Sequence, residues 1–167
     1  MKYKTYFVKP DKLTNKNLQT IIQFYLFECP VEGKSYRGKS FKEYGYNGSA
    51  SFSKLKTALL NSATLSLRKN YKPSKKEELQ QNYASIETVC YPDEYCVFLK
   101  SDEKSVIRSM FAAIRNAFAH GSYNVEKYKK TRIYYFSNYK DYEKARMVLH
   151  EETLLSWIRI IKEKGGC

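Results

Sequence analysis

Residues that staple or interrupt a chain are scarce here: four cysteines, four prolines and seven glycines in 167 positions. Cys29, Cys90, Cys96 and Cys167 form no Cys-x-x-Cys pair, and two histidines cannot complete a zinc site around them, so no metal is expected. No cofactor signature stands out either. Glycine-rich phosphate loops, a nucleophile elbow and paired carboxylates are all missing. No apolar run approaches the length that spans a bilayer, and Met1–Tyr6 carries basic residues with no apolar stretch behind them, so neither a membrane anchor nor a signal peptide is expected. Free thiols fit a reducing compartment, which makes the cytoplasm the expected location. Acidic residues are the last shortage: 17 against 30 lysines and arginines, a net charge of +13.

That imbalance turns the argument to what is present. A strongly basic chain attracts polyanions, nucleic acid ahead of a membrane surface, although a merely Lys-rich soluble surface is the plain alternative. Sixteen tyrosines lie among the basic residues. Some of their rings offer stacking faces for unpaired bases, and most are expected to be buried or half-buried. Hydrophobic content of 43% supports a folded chain, and the length suits one domain over 1–167.

Apolar spacing reads mostly as helix. Leu18, Ile21, Ile22, Tyr25 and Leu26 share a face behind Thr14 as N-cap, and Pro30 ends that helix. Residues 31–52 form a long basic loop without periodicity, either a lid over a groove or a disordered crossover. A helix over Ser53–Lys69 follows. Ser74 and Glu77 match a capping box for a helix burying Leu79, Tyr83, Ile86 and Cys90. Tyr91-Pro92-Asp93 breaks it, and Cys96–Leu99 reads as a short apolar connector. The next helix starts at Asp102, or at Ser101, and buries Val106, Ile107, Met110, Ile114, Ala117 and Phe118. Ile133–Phe136 and Ala145–Leu149 flank Asn138–Asp141 as a hairpin, and a final helix runs from Thr153 with Trp157 in the core. The expected fold is all-α: an up-and-down bundle of about five helices with a small β-hairpin inserted before the C-terminal helix.

One stretch carries chemistry. Arg115-Asn116-Ala117-Phe118-Ala119-His120 ends the amphipathic helix, and Gly121 suits the left-handed residue that closes it. Arginine holds phosphate through a two-pronged contact, and histidine moves protons near neutral pH. Asn116 and His120, four apart, share a face, whereas Arg115 turns about a third of a turn away and shares its side with Arg108. A second copy of the chain would bring both pairs into one groove. The bland alternative is a helix-end histidine favoured by the dipole beside a surface arginine. Lys127, Lys129, Lys130 and Arg132 just beyond either track an RNA backbone or form a solvated basic turn. Arg108 either extends the phosphate track or pairs with Asp102 or Glu103, and His150 is expected at the surface.

Arg115, Asn116 and His120 at a helix end, followed by a hairpin and a last helix over Ala145–Ile161, resemble the HEPN superfamily in its plasmid- and defence-associated branches. The likeness is strongest over residues 102–163. It implies a helical bundle that acts as a metal-independent endoribonuclease, in a homodimer whose two motifs share one cleft. On that reading Arg115, Asn116 and His120 are catalytic, and Arg108, Tyr123, Lys127, Lys129, Lys130 and Arg132 bind RNA. It also implies a toxin–antitoxin or anti-phage setting, with an antitoxin or defence-complex partner. Some members place a modifiable Tyr two residues after the histidine. Here that position is Ser122, and Tyr123 comes one later. The alternatives in other classes are a non-catalytic RNA- or nucleotide-binding HEPN module and a structural interaction partner.

Overall fold

The computed structural model describes residues 15–31, 39–101 and 105–164. Its elements run α1 (Lys16–Ile22), α2 (Gly48–Asn61), α3 (Leu65–Lys69), β1 (Tyr71–Ser74), α4 (Leu79–Ile86), β2 (Tyr95–Leu99), α5 (Val106–Ala119), β3 (Tyr123–Tyr128), β4 (Thr131–Tyr139), β5 (Glu143–His150) and α6 (Glu151–Lys164). Five strands form one mixed sheet in the order β1-β2-β5-β4-β3. The expected all-α bundle is therefore wrong: the fold is mixed α/β, with 50% of the described residues helical and 23% in strands. The hairpin is present as β4–β5, but it is the middle of a sheet and not an insertion.

Each missed strand has a physical reason. Tyr95–Leu99 is a short apolar run whose period cannot distinguish strand from connector. It becomes a central strand by pairing parallel with β1 and antiparallel with β5. β1 contains Pro73, which an edge strand tolerates because one side of its backbone needs no partner. β3 carries Glu126 and Lys127 exposed at the opposite edge, where charge discourages further pairing. Parallel β1 and β2 need a crossover, and α4 supplies it.

The main core lies between one sheet face and α1, α2, α5 and α6. Phe98, Tyr134, Phe136, Met147 and Leu149 from the sheet meet Ile107, Phe111, Ile114, Phe118 and Trp157 from α5 and α6. Trp157 is fully buried, and its indole N–H donates to Leu59 O at 3.0 Å, tying α6 to α2. On the other face α4 sets Leu79, Tyr83 and Ile86 over Val97. Asn138 Nδ2 donates to Ala113 O at 2.6 Å, fixing β4 to α5.

Local boundaries moved where better caps were at hand. Asn15 caps α1, accepting from Leu18 N, while Thr14 lies outside the described residues. The helix expected over 53–69 begins at Gly48 and breaks at Ser62–Thr64, because Thr64 Oγ1 accepts from Leu67 N and starts α3. The long loop is thus shorter than 31–52. In its described part Phe41, Tyr44 and Tyr46 are buried. The capping box slips by one residue: Glu78 accepts from Lys75 N at 2.7 Å, and Ser74 ends β1. Ser105, not Asp102 or Ser101, caps α5 by accepting from Arg108 N. Cys29, whose Sγ donates to Phe111 O at 3.9 Å, and Cys96 are buried and in no disulfide, and Cys90 is exposed beyond the end of α4.

Candidate functional site

α5 is amphipathic and buries Ile107, Met110, Phe111, Ile114, Ala117 and Phe118 against the core, so its C-terminal end is fixed in place. The helix then closes through a left-handed glycine. Gly121 has φ +65°, its N–H donates to Phe118 O at 3.2 Å, and Ser122 N–H donates to Ala117 O at 2.8 Å. This pair of bonds is the Schellman arrangement, and it satisfies carbonyls the helix leaves open. His120 occupies the last position before the turn. Its amide donates to Asn116 O at 3.0 Å, and its side chain is exposed. Backbone geometry holds the imidazole outward.

Arg115 and Asn116 lie on the flank of the same helix end, both half-buried. The Arg115 guanidinium donates to Asn116 Oδ1 at 3.5 Å, a long contact. It also lies close to Cys29, whose thiol is pushed well up by burial, with the Arg115 charge opposing that push. His120, by contrast, opens on a cavity of about 340 Å³ with Gly121, Ser122 and Tyr123. The three residues of the motif are therefore neighbours along one helix end, with Arg115 beside Cys29 and His120 over the cavity.

The remaining predicted residues divide. Tyr123 opens β3 beside His120 in the same cavity, its ring 4.8 Å from Phe118, and burial raises its hydroxyl pKa. Arg108 sits over the ring of Phe52 in α2, with 5.0 Å from guanidinium to ring centre. Asp102 and Glu103, its suggested partners, lie outside the described residues. Lys127, Lys129 and Lys130 are exposed at the far end of the β3–β4 hairpin, a strand length of roughly 17 Å from His120. Lys129 adopts φ 53° in the two-residue turn. Arg132 is bound to the protein itself: its Nη1 lies 3.5 Å from Glu151 Oε2, and Glu151 also accepts from Asn17 at 2.9 Å and Tyr134 at 3.4 Å. His150 is half-buried, not a surface residue, and its Nε2 donates to Pro92 O at 2.7 Å.

Sequence reasoning missed the rest of the His120 cavity. Tyr95, Asn124, Tyr135, Ser137 and Arg146 line it from four strands. Tyr135 and Arg146 fall in runs that read as a hairpin, Tyr95, Asn124 and Ser137 carry no such signal, and nothing local reports which strands lie side by side. Among the described residues no three His, Cys, Asp or Glu side chains gather as metal ligands would, and no helix is long and apolar enough to cross a membrane. Comparison with known protein families, curated proteins and solved structures finds no match.

Proposed function

We propose that this chain is an endoribonuclease that cleaves RNA without a metal ion, through 2′-hydroxyl attack in a composite site of a homodimer. The observation that carries this reading is the placing of His120: exposed at the closed end of a rigidly packed helix, over a cavity, with Arg115 and Asn116 on the adjoining flank. The HEPN resemblance supports it through those three residues and not through the helical bundle that family implies.

The chemistry follows from the substrate. RNA brings its own nucleophile, so the protein must supply a base, an acid and charge stabilisation. His120 takes the proton from the 2′-hydroxyl. That oxygen attacks phosphorus, and the bond from phosphorus to the 5′-oxygen breaks. The His120 of a second copy returns a proton to the leaving oxygen, giving a 2′,3′-cyclic phosphate and a 5′-hydroxyl. Arg115 holds the phosphate and offsets the charge that grows in the pentacoordinate state. Asn116 lends an amide to the same oxygens. A cytoplasmic setting, and silencing by an antitoxin or defence partner, belong to the same proposal.

Incubating pure protein with total RNA in EDTA tests it. His120→Ala is expected to slow cleavage by about 10²–10⁴-fold, and Arg115→Ala by about 10²–10³-fold. Equal cleavage by wild type and His120→Ala would sink the mechanism. RNA bound with steep salt dependence yet left intact identifies a binding module instead.

A further inference from the structure

The register of the sheet assembles a surface that no local pattern announces. Residues opposite one another across paired strands point to the same face. Asn124 pairs with Tyr135, Tyr135 with Val148, and Val148 with Tyr95, so one row crosses β3, β4, β5 and β2. The next row sets Ser137 against Arg146. The backbone joins this platform to the helix end, since Ser137 N–H donates to Ser122 O at 3.0 Å. Tyrosine rings, an amide, hydroxyls and His120 therefore line one cavity of about 340 Å³, within the usual size of small-molecule sites.

The charges in the cavity decide what kind of ligand suits it. Arg146 is its one arginine, and that guanidinium is already engaged. It makes two bonds to Glu143, at 3.1 and 2.6 Å, and lies 4.6 Å over the Tyr83 ring. Ser137 also turns its hydroxyl to Glu143 at 3.3 Å. The cation is thus balanced by a carboxylate within the same group, and the lining is aromatic and neutral-polar. The Tyr135 hydroxyl donates to Glu126 at 3.3 Å, and burial together with that carboxylate raises its pKa, so it is the neutral ring that faces a ligand. Asn124 keeps donor and acceptor capacity beyond its bonds to Val125 N and Glu126. A flat, neutral ligand with hydrogen-bonding edges fits this lining better than an anion does.

We propose that this cavity binds one unpaired ribonucleobase, next to the phosphate that the 2′-oxygen deprotonated by His120 attacks. The inference rests on the RNA reading above and adds its substrate class: single-stranded RNA, because a base locked in a duplex cannot turn its face and edge into the cavity. Sheets that present aromatic side chains to splayed bases are a recurring means of reading single strands.

The test uses wild-type protein and ligands it cannot cleave. Calorimetric titration with each of the four ribonucleoside 3′-monophosphates is expected to give saturable binding for at least one. Ribose 5-phosphate, which has sugar and phosphate but no base, is expected to bind at least about tenfold more weakly. Tyr135→Leu removes a ring and Asn124→Leu fills the row beside it, and each is expected to weaken nucleotide binding about tenfold or more. Melting curves identify which variants remain folded. Ribose 5-phosphate binding as tightly as the nucleotides, no nucleotide binding, or unchanged binding in both folded variants would overturn the proposal. The two readings fail separately. Nucleotide binding without RNA cleavage keeps the base site and sinks the nuclease, and RNA cleavage without nucleotide binding does the reverse.

Discussion

Gly121 shows how much a single backbone angle carries. At φ +65° it turns the chain from α5 into β3, and no atom lies within 4 Å of where a Cβ would stand. The cost of a side chain there is conformational and not a clash. Gly121→Ala is expected to destabilise the protein by about 1–2 kcal/mol, and Gly121→Asn by less, as read from urea unfolding midpoints. Arg132 belongs to the same scale. Because it compensates the nearly buried Glu151, Arg132→Ala is expected to cost about 1–3 kcal/mol. Lys127→Ala and Lys130→Ala, which are exposed, are expected to stay within about 0.5 kcal/mol of wild type. All three are basic residues of one short stretch, and only their partners in the fold separate structural from solvent-facing roles. Melting temperatures of the three variants check the distinction.

At the scale of elements, the β3–β4 turn contains a local conflict. Lys129 holds φ 53° at the first turn position, where glycine is the residue that fits without steric cost. Lys129→Gly is expected to gain about 0.5 kcal/mol, the relief of the left-handed strain less the added freedom of the unfolded chain. Lys162 of α6 donates at 2.7 Å to Glu28, the last residue of a π-helical segment, Gln23–Glu28, that continues α1. That bond is the largest influence holding the Glu28 carboxyl below its ordinary pKa near 4.5. A carboxylate lowered in the folded state contributes fully above its unfolded pKa and loses the contribution as pH falls through the folded value. The melting difference between wild type and Glu28→Gln is therefore expected to be about 0.5–1 kcal/mol at pH 7 and to shrink as pH falls below 4.5 through the lowered folded value. Helices were the legible elements. The α5 stripe, its glycine end and buried Trp157 stand as their spacing implied, because helical faces repeat within a few residues. Tyr71–Ser74, Tyr95–Leu99 and Tyr123–Tyr128 did not declare themselves. Each is too short or too polar to show a period, and each is a strand only by virtue of its partner.

For the whole molecule, the composite site proposed above would make assembly a condition of activity. Cleavage per chain is expected to fall on dilution below the dimer dissociation constant, with sedimentation velocity reporting dimer and monomer over the same range. Activity that stays constant per chain while the protein is shown to be monomeric would refute the shared cleft. The same scale joins the two halves of the candidate site. His120 reaches the cavity because α5 packs on one face of the sheet while its end leads around the edge into β3, beside the rows of the other face. Net charge alone suits a polyanion, but the position of the charges does not lead to His120: the basic turn lies at the far end of the hairpin from it.

Composition, the helix-end motif and the closing glycine were decided by residues close together in the chain, through charge, spacing and backbone freedom. They brought Arg115, Asn116 and His120 to one helix end and gave the chain its net charge of +13. The sheet, the base-sized cavity beside His120 and the pairing of Arg132 with Glu151 were decided by folding. Strand order and register join residues as far apart as Tyr95 and Val148, and pairing over that distance follows from burying both faces of one shared sheet, which no window of sequence contains.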